Sequence, residues 1–288
     1  MSANRKTSPL QIFLLIFCLL LLVAVIVFVM LHLNKDSADS IDPAPQQSQS
    51  SSASLQTTPT PTTPVTESIP APDPADFYGE ALPKSEPVTD SYFDDALFVG
   101  DSITTGIEAY GVMPNTTVVA STGINPNTIM SSPVIETVNG TVTILDAMSA
   151  YHPKKIYIML GSNGVQFIGK ETMMELYGTF VDAVKNQHPD SVIYLQSILP
   201  VTQAKVDANP DLTNEKIDEY NEAIMALAKE KEVYYLNVGE SLKDASGALP
   251  DEASPNDGMH FGKPRYEIWM AYLKSHTLEG ALKGSAQN

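Results

Sequence analysis

The stretch Ala96-Leu97-Phe98-Val99-Gly100-Asp101-Ser102 is an apolar run that ends in a Gly-Asp-Ser turn. Such a run, bounded by a glycine, is typical of a strand that is buried on both faces of a parallel sheet. Residues 103–107 can open a helix directly beyond the turn. From Tyr92 onward the chain repeats this alternation of short apolar runs and longer helical stretches, which is the pattern of βαβ units.

Five strands are predicted in this region, and they alternate with helices. The strands are predicted at 96–99, 117–121, 155–160, 191–197 and 233–237. Helices are predicted at 141–150, 170–187 and 214–232, with a final helix at 265–282. Because parallel strands need crossover connections, this order predicts an α/β fold. The expected architecture is a three-layer α/β/α sandwich around a five-stranded parallel sheet.

A long apolar run lies near the start of the sequence that precedes this region. Residues 12–31 contain no charged side chain, and about 20 residues of helix match the roughly 30 Å hydrocarbon core of a bilayer. The run is longer than the apolar region of a cleaved signal peptide, so 12–33 is predicted to be a transmembrane signal anchor. Arg5 and Lys6 precede it, and the positive-inside rule makes 1–11 a cytoplasmic tail. The rest of the chain is then expected outside the cytoplasm.

Residues 34–90 are rich in Ser, Thr, Pro and Gln and have few large apolar side chains. Such a composition cannot bury enough apolar surface to form a core, so a disordered stalk is predicted. The remaining residues, 91–288, are predicted to form the folded domain. The single cysteine, Cys18, lies inside the predicted membrane span, so the domain is expected to fold without a disulfide.

The formal net charge of −17 at pH 7 limits the kinds of partner that the chain can bind. An acidic protein is repelled by nucleic acid and by anionic lipid headgroups, so neither is expected as a partner of the domain. No spaced set of His, Cys or carboxylate residues suggests a metal site, and no G-x-x-x-x-G-K motif suggests a nucleotide. No cofactor is therefore expected.

Ser102 is the first candidate for chemistry. It directly follows the first predicted strand, and ligands of open parallel sheets bind outside the carboxyl ends of the strands. A helix that begins at this point would present free N–H groups and a partial positive charge to a developing oxyanion. Taken alone, the tripeptide fits a simple helix-capping turn better than a catalytic site.

Asp257 and His260 form the second candidate block, three residues apart in a glycine-containing loop before the final predicted helix. A serine hydroxyl needs a base to accept its proton, and the base needs a third group to hold it in the right tautomer. His260 as the base and Asp257 as the orienting group meet this need. A D-x-x-H loop on its own is more often an ordinary surface turn.

Asn163 belongs to a third block, Gly161-Ser162-Asn163-Gly164, which follows the strand predicted at 155–160. This block lies at the same edge of the predicted sheet as Ser102. The Asn163 amide could donate a hydrogen bond to an oxyanion, and loss of one such donor typically costs about 10² to 10³ in rate. An Asn-Gly turn that merely starts the next helix explains the block equally well.

Together these blocks resemble the SGNH hydrolase superfamily of GDSL-like lipases and acylhydrolases. Its members share a GDS block after the first strand, a glycine after the second, a G-x-N block after the third and a D-x-x-H block near the C-terminus. The corresponding residues are Phe98-Val99-Gly100-Asp101-Ser102, Gly123, Gly161-Ser162-Asn163 and Asp257-Gly258-Met259-His260. The resemblance covers roughly residues 92–276. It implies a flavodoxin-like fold, a triad of Ser102, His260 and Asp257, and an oxyanion hole formed by Ser102, Gly123 and Asn163.

The second block departs from the family pattern. Many members have G-x-x-G-x-T as the second block, and its second glycine donates an N–H to the oxyanion. When the pattern is aligned on Gly123, that position is Pro126, which has no N–H to donate. Gly123 or Asn125 could donate in its place.

The resemblance and the predicted location lead us to expect an extracytoplasmic serine esterase. Its expected substrates are O-acyl esters, above all O-acetyl esters, of cell-envelope polysaccharide or peptidoglycan. Three alternatives stay open. They are a lipase, thioesterase or arylesterase on small or lipidic esters, an acyltransferase with the same triad, and a glycan-binding domain without activity.

Overall fold

The computed structural model describes residues 72–285. The predicted cytoplasmic tail, the predicted membrane span at 12–33 and residues 34–71 of the predicted stalk lie outside the described residues. Within 72–285, no helix combines the length and the apolar composition that crossing a bilayer requires.

A five-stranded parallel sheet forms the centre of the described chain. Its strands are β1 (Ala96–Gly100), β2 (Thr117–Ala120), β3 (Lys155–Met159), β4 (Val192–Gln196) and β5 (Tyr234–Leu236). They lie in the order β2-β1-β3-β4-β5, and every pair is parallel. The predicted α/β fold with five parallel strands is confirmed. The strand order changes direction between β1 and β3, and such a switch point is where open α/β sheets bind ligands.

Helices cover both faces of the sheet. They are α1 (Ser102–Ala109), α2 (Ile144–Met148), α3 (Lys170–Gln187), α4 (Gln203–Ala208), α5 (Asn214–Glu230), α6 (Lys263–Ser275) and α7 (Leu278–Ser285). Leu97 and Val99 of β1 belong to the apolar core shared with α3 and α5. Phe98, between them, belongs to the core shared with α1 and α6. The three layers thus follow from the alternation of side chains along each buried strand.

A row of aromatic rings crosses the second face of the sheet. Phe98, Tyr157, Tyr194 and Tyr234 occupy paired positions of β1, β3, β4 and β5. Neighbouring ring centroids lie 4.8, 4.7 and 5.7 Å apart. Each cross-strand aromatic pair contributes about 0.2–1 kcal/mol, so the row helps to fix the strand register that aligns the ends of β1 and β3.

The prediction of a helix at 141–150 is wrong for its first residues. Ile135–Thr137 and Gly140–Val142 form a two-stranded antiparallel hairpin, and only α2 is helical in this region. Thr141 and Val142 are β-branched, which favours a strand over a helix. Thr143 then caps α2 with its hydroxyl.

The final helix predicted at 265–282 is interrupted, and the structure has α6 and α7 in its place. His276 leaves the helical conformation with φ −132° and ψ 68°. The Thr277 hydroxyl accepts a hydrogen bond from the Gly280 N–H at 3.1 Å. This cap starts a second helix, because it satisfies one of the N–H groups that lack an intrahelical partner.

Residues 72–88, here called the strap, pack onto the domain. Leu82 is 1% exposed, and its N–H donates to the Tyr235 carbonyl of β5 at 3.1 Å. The Val88 N–H donates to the Lys274 carbonyl of α6 at 2.9 Å. The folded domain therefore begins before residue 91, where composition alone placed its start.

Gly106 of α1 lies directly against Tyr266 of α6. The Tyr266 hydroxyl donates to the Ile103 carbonyl at 2.7 Å, and a Cβ at position 106 would overlap that hydroxyl. We expect Gly106→Ala to lower the free energy of unfolding by about 1–3 kcal/mol, the usual cost of overpacking a core. Urea unfolding of the purified chain measures this loss.

Gly284→Ala is the matched control for this prediction. Nothing lies within 4 Å of a Cβ at Gly284 in α7, and alanine is the better helix former by roughly 0.5–1 kcal/mol. Equal destabilisation by the two substitutions would contradict the packing explanation.

Candidate active site

The carboxyl end of β1 brings Asp101 and Ser102 to the switch point of the sheet. Asp101 is the N-cap of α1, and its Oδ1 accepts a hydrogen bond from the Ile103 N–H at 3.0 Å. Ser102 is the first residue of that helix, so its N–H has no acceptor within the helix. The Ser102 side chain therefore lies at the positive end of a helix, with an N–H available to an anionic oxygen.

Ser102 and His260 meet although they are 158 positions apart in the chain. Ser102 Oγ lies 2.7 Å from His260 Nε2, and His260 Nδ1 lies 2.6 Å from Asp257 Oδ2. The hydroxyl, the imidazole and the carboxylate are thus connected in series. This is the order of groups that activates a serine nucleophile in unrelated hydrolases.

The Asp257 carboxylate is held by its own loop. Its Oδ1 accepts hydrogen bonds from the Met259 and His260 N–H groups, both at 2.9 Å. Partial burial alone would raise the pKa of Asp257, but these donors and the His260 ring outweigh it. The pKa of this carboxyl is therefore held well below its usual range, and Asp257 stays ionised at neutral pH.

Ser254 supports the same loop and is not predicted from the sequence. It is 3% exposed, and its Oγ lies 2.6 Å from the His260 carbonyl oxygen and 3.2 Å from Asp257 Oδ1. A serine three residues before a carboxylate is typical of capping motifs. That Ser-x-x-Asp spacing is the signal that could have indicated Ser254.

Gly258 seats this loop against α4. It has φ 75°, and its carbonyl accepts a hydrogen bond from the Thr202 N–H at 2.9 Å. A Cβ at this position would come within 2.5 Å of Thr202 Oγ1 and of Lys205 Cβ. Only glycine combines this backbone conformation with so close an approach.

Asp101 connects the block after β3 to the block after β1. The carboxyl is 1% exposed, and its Oδ2 accepts hydrogen bonds from Ser162 Oγ and, at 3.2 Å, from Asn163 Nδ2. Burial raises the pKa of Asp101 above its ordinary value, and the donors Ser162 and Ile103 oppose this effect. The sequence indicates neither role: Asp101 is recognisable only as a helix N-cap, and Ser162 carries no signal.

The Asn163 amide already faces two acceptors. Its Nδ2 lies 3.2 Å from Asp101 Oδ2 and 3.2 Å from the Ile124 carbonyl oxygen. Both distances are at the long end of the range for an N–H···O hydrogen bond. Asn163 thus lies next to the loop that contains Gly123, and both donors of its amide are engaged within the protein.

The loop 123–127 has one free N–H that could face an oxyanion. The Asn125 N–H donates to Thr128 Oγ1 at 3.1 Å, and the Asn127 N–H donates to Asn125 Oδ1 at 3.0 Å. The Ile124 N–H donates to the Ser121 carbonyl at 3.4 Å. Gly123, with φ 79°, has an N–H without an acceptor among residues 72–285. The Gly123 N–H is therefore available to an oxyanion, and the Asn125 N–H is not.

Comparisons with known proteins point to one family. The sequence model of the GDSL-like lipase/acylhydrolase family matches residues 98–268, which is more than half of the chain. None of the curated proteins matches the chain significantly.

Three solved structures illustrate the likeness. A Streptococcus pneumoniae protein, provisionally described as a platelet activating factor, is 21% identical with a TM-score of 0.49, over 68% of this chain and 90% of that one. A GDSL-like lipase of Bacteroides thetaiotaomicron is 16% identical with a TM-score of 0.48, over 70% and 92%. An acetylxylan esterase of Geobacillus stearothermophilus is 16% identical with a TM-score of 0.44, over 62% and 92%.

The lowered pKa of Asp257 links folding stability to pH. A carboxyl with a lower pKa in the folded state stabilises the fold above its unfolded pKa, about 3.9, and loses that contribution as the pH falls below it. We expect Asp257→Asn to unfold at a lower urea concentration than the wild type at about pH 7, with a smaller gap at about pH 3. Urea midpoints at the two pH values test this. A gap of constant size would contradict the electrostatic cause.

Proposed function

This chain belongs to the GDSL-like lipase/acylhydrolase family, and from that premise we propose that it is a serine esterase. Ser102 is the nucleophile, His260 the general base and Asp257 the carboxylate that orients it. The observation that carries the proposal is the series of contacts at 2.7 and 2.6 Å from Ser102 Oγ through the His260 ring to Asp257 Oδ2.

The reaction proceeds through an acyl-enzyme. Ser102 Oγ attacks the ester carbonyl carbon while its proton passes to His260 Nε2, and the carbonyl electrons move to the oxygen. The tetrahedral intermediate then collapses, the bond to the alcohol oxygen breaks, and His260 returns the proton to that oxygen. Water, deprotonated by His260, attacks the acyl-enzyme in the same way, which releases the carboxylic acid and restores Ser102. Asp257 stabilises the imidazolium that forms in each half.

The oxyanion is held by the Ser102 N–H, the Gly123 N–H and the Asn163 amide. Asn163 serves by exchanging its 3.2 Å bond to the Ile124 carbonyl for one to the oxyanion, because a charged oxygen is the stronger acceptor. Asp101 keeps its own bond to Asn163 Nδ2 and thereby positions the amide.

The acyl group is small, and acetyl is the group we propose. An apolar cavity of about 20 Å³ is lined by Ile103, Ser162 and Met259, but not by Ser102 or His260. It has room for about one water-sized group, so it offers no channel for the acyl chain of a lipid. The small size of this cavity favours an acetyl esterase over a lipase.

The substrate class that we propose is the O-acetyl ester of a cell-envelope polysaccharide or peptidoglycan. This part rests on the apolar run at 12–31, whose length favours a membrane anchor with the domain outside the cytoplasm. Release of acetate from O-acetylated cell-wall material tests it. Acetate release no greater than that by the Ser102→Ala variant would rule the substrate out.

Replacement of the nucleophile or the base should abolish esterase activity. We expect Ser102→Ala and His260→Ala each to lower kcat for p-nitrophenyl acetate by at least about 10³-fold, because the two groups act as one unit. A stopped or continuous assay of p-nitrophenol release measures kcat.

Ser241→Ala and His152→Ala are the matched controls. They remove the same two side-chain types, and His152 is exposed. Wild-type activity is expected in both controls. Equal turnover in wild type, Ser102→Ala and His260→Ala would mean that the assignment of the triad is wrong.

Loss of the Asn163 amide should lower the catalytic rate more strongly than it weakens substrate binding. We expect Asn163→Ala to reduce kcat by about 10² to 10³ with a much smaller change in KM, because an oxyanion donor acts in the transition state. Asn127→Ala, at an exposed position of the neighbouring loop, should leave kcat unchanged. Unchanged kcat in folded Asn163→Ala would leave Asn163 only the structural role of bridging Asp101 and Ile124.

A further inference from the structure

A cleft of about 510 Å³ opens beside His260, between the loop that carries the histidine and the start of α6. Its walls include Tyr110, Glu252, Asn256, His260, Phe261 and Arg265. Apart from His260, none of these residues belongs to the triad or to the oxyanion hole. The cleft therefore has a chemistry of its own next to the reacting atoms.

Arg265 is the distinctive residue of this cleft. It is the only arginine in residues 72–285, and it is half-buried. No carboxylate oxygen of the described residues lies within 4 Å of its guanidinium, although Glu252 lines the same cleft. Its donors are thus available to a ligand.

Arg265 places a positive charge in a cleft of an acidic protein. The chain is strongly acidic, and several lysines pair with carboxylates within 4 Å, among them Lys243 with Asp218 and Lys231 with Asp182. An anionic substrate would be repelled by the overall field. A local arginine overcomes this repulsion, because its planar fork binds a carboxylate through two parallel hydrogen bonds.

The position of the cleft indicates which part of the ester it accepts. His260 Nε2 returns its proton to the alcohol oxygen when the tetrahedral intermediate collapses, so the alcohol must lie against His260. Tyr110 is 42% exposed and packs on Tyr266 with ring centroids 5.1 Å apart. The ring offers a flat surface to a cyclic alcohol such as a sugar.

We propose that this cleft is the alcohol subsite and that Arg265 binds a carboxylate carried by the alcohol part of the ester. The inference rests on the proposed esterase function and narrows its substrate class to acyl esters of acidic, carboxylate-bearing sugars or related cyclic alcohols. Arg265 is a specificity residue in this assignment, since it touches the substrate but not the reacting bond.

The test compares a charged and a neutral ester of the same shape. The probes are 3-acetoxybenzoate, whose leaving alcohol carries a carboxylate, and its methyl ester, whose leaving alcohol is neutral. We expect Arg265→Gln in the full chain to lower kcat/KM for 3-acetoxybenzoate by about tenfold, the typical effect of losing hydrogen bonds to a charged group. The kcat/KM for the methyl ester should change by less than about twofold, since the leaving alcohol of that probe carries no charge.

Lys263→Gln is the matched control. Lys263 lies in the same first turn of α6, is exposed, and does not line the cleft. Its removal changes the net charge equally, so both probes should keep wild-type kcat/KM because exposed charges are screened by salt. The same loss of discrimination in Lys263→Gln would mean that only the overall field acts, which overturns the proposal.

Four further outcomes are decisive. Equal loss on both probes in Arg265→Gln would make Arg265 a structural residue, and no loss on either would leave it without a role; both overturn the proposal. A loss confined to 3-acetoxyphenyl phosphate, run as a third probe, would overturn the assignment to a carboxylate. If the wild type hydrolyses neither benzoate probe nor p-nitrophenyl acetate, the esterase function itself fails, which separates that failure from a failure of the subsite.

Discussion

The buried carboxylate of Asp101 ties the loops after β1 and β3 into one unit. It accepts hydrogen bonds from the Ile103 N–H, Ser162 Oγ and Asn163 Nδ2. A carboxylate removed from water costs several kcal/mol unless its oxygens find donors. These three donors compensate the buried carboxylate and fix Ser102 and Asn163 relative to each other.

His260, the general base, comes from the C-terminal part of the chain, and the packing of α6 against α1 places it beside Ser102. Tyr266 of α6 fits against Gly106 of α1 and bonds to the Ile103 carbonyl. The loop with Asp257 and His260 directly precedes α6, so this contact sets the approach of His260 to Ser102. The loop itself is rigid because Ser254 binds the His260 carbonyl from inside and Gly258 rests on α4. The position of the base relative to the nucleophile thus depends on the packing of α6 against α1 and of the Gly258 loop against α4.

Patterns that repeat along the chain predicted the fold, and contacts between distant segments limited the prediction of the site. The five strands follow from apolar runs, and the blocks at their carboxyl ends indicate Ser102 and Asn163. The hairpin near Gly140 and the new cap at Thr277 were missed because local turn chemistry outweighs helical periodicity there. The pairing of Asp101 with Ser162 joins side chains of two different loops, which no spacing along the sequence reveals. The choice of Gly123 over Asn125 as a donor depends on where the Thr128 hydroxyl points.

The strap also determines how the domain bears mechanical tension. It pairs with the outer edge of β5 through Ala81 and Leu82 and continues to the end of α6 at Lys274 and Ser275. The switch point between β1 and β3 lies further inside the sheet, two strands away from this edge. A pull on the chain before residue 72 therefore strains a few backbone hydrogen bonds of the strap first. These bonds can peel apart one after another and absorb the extension while the loops that hold Ser102 and Asn163 keep their geometry.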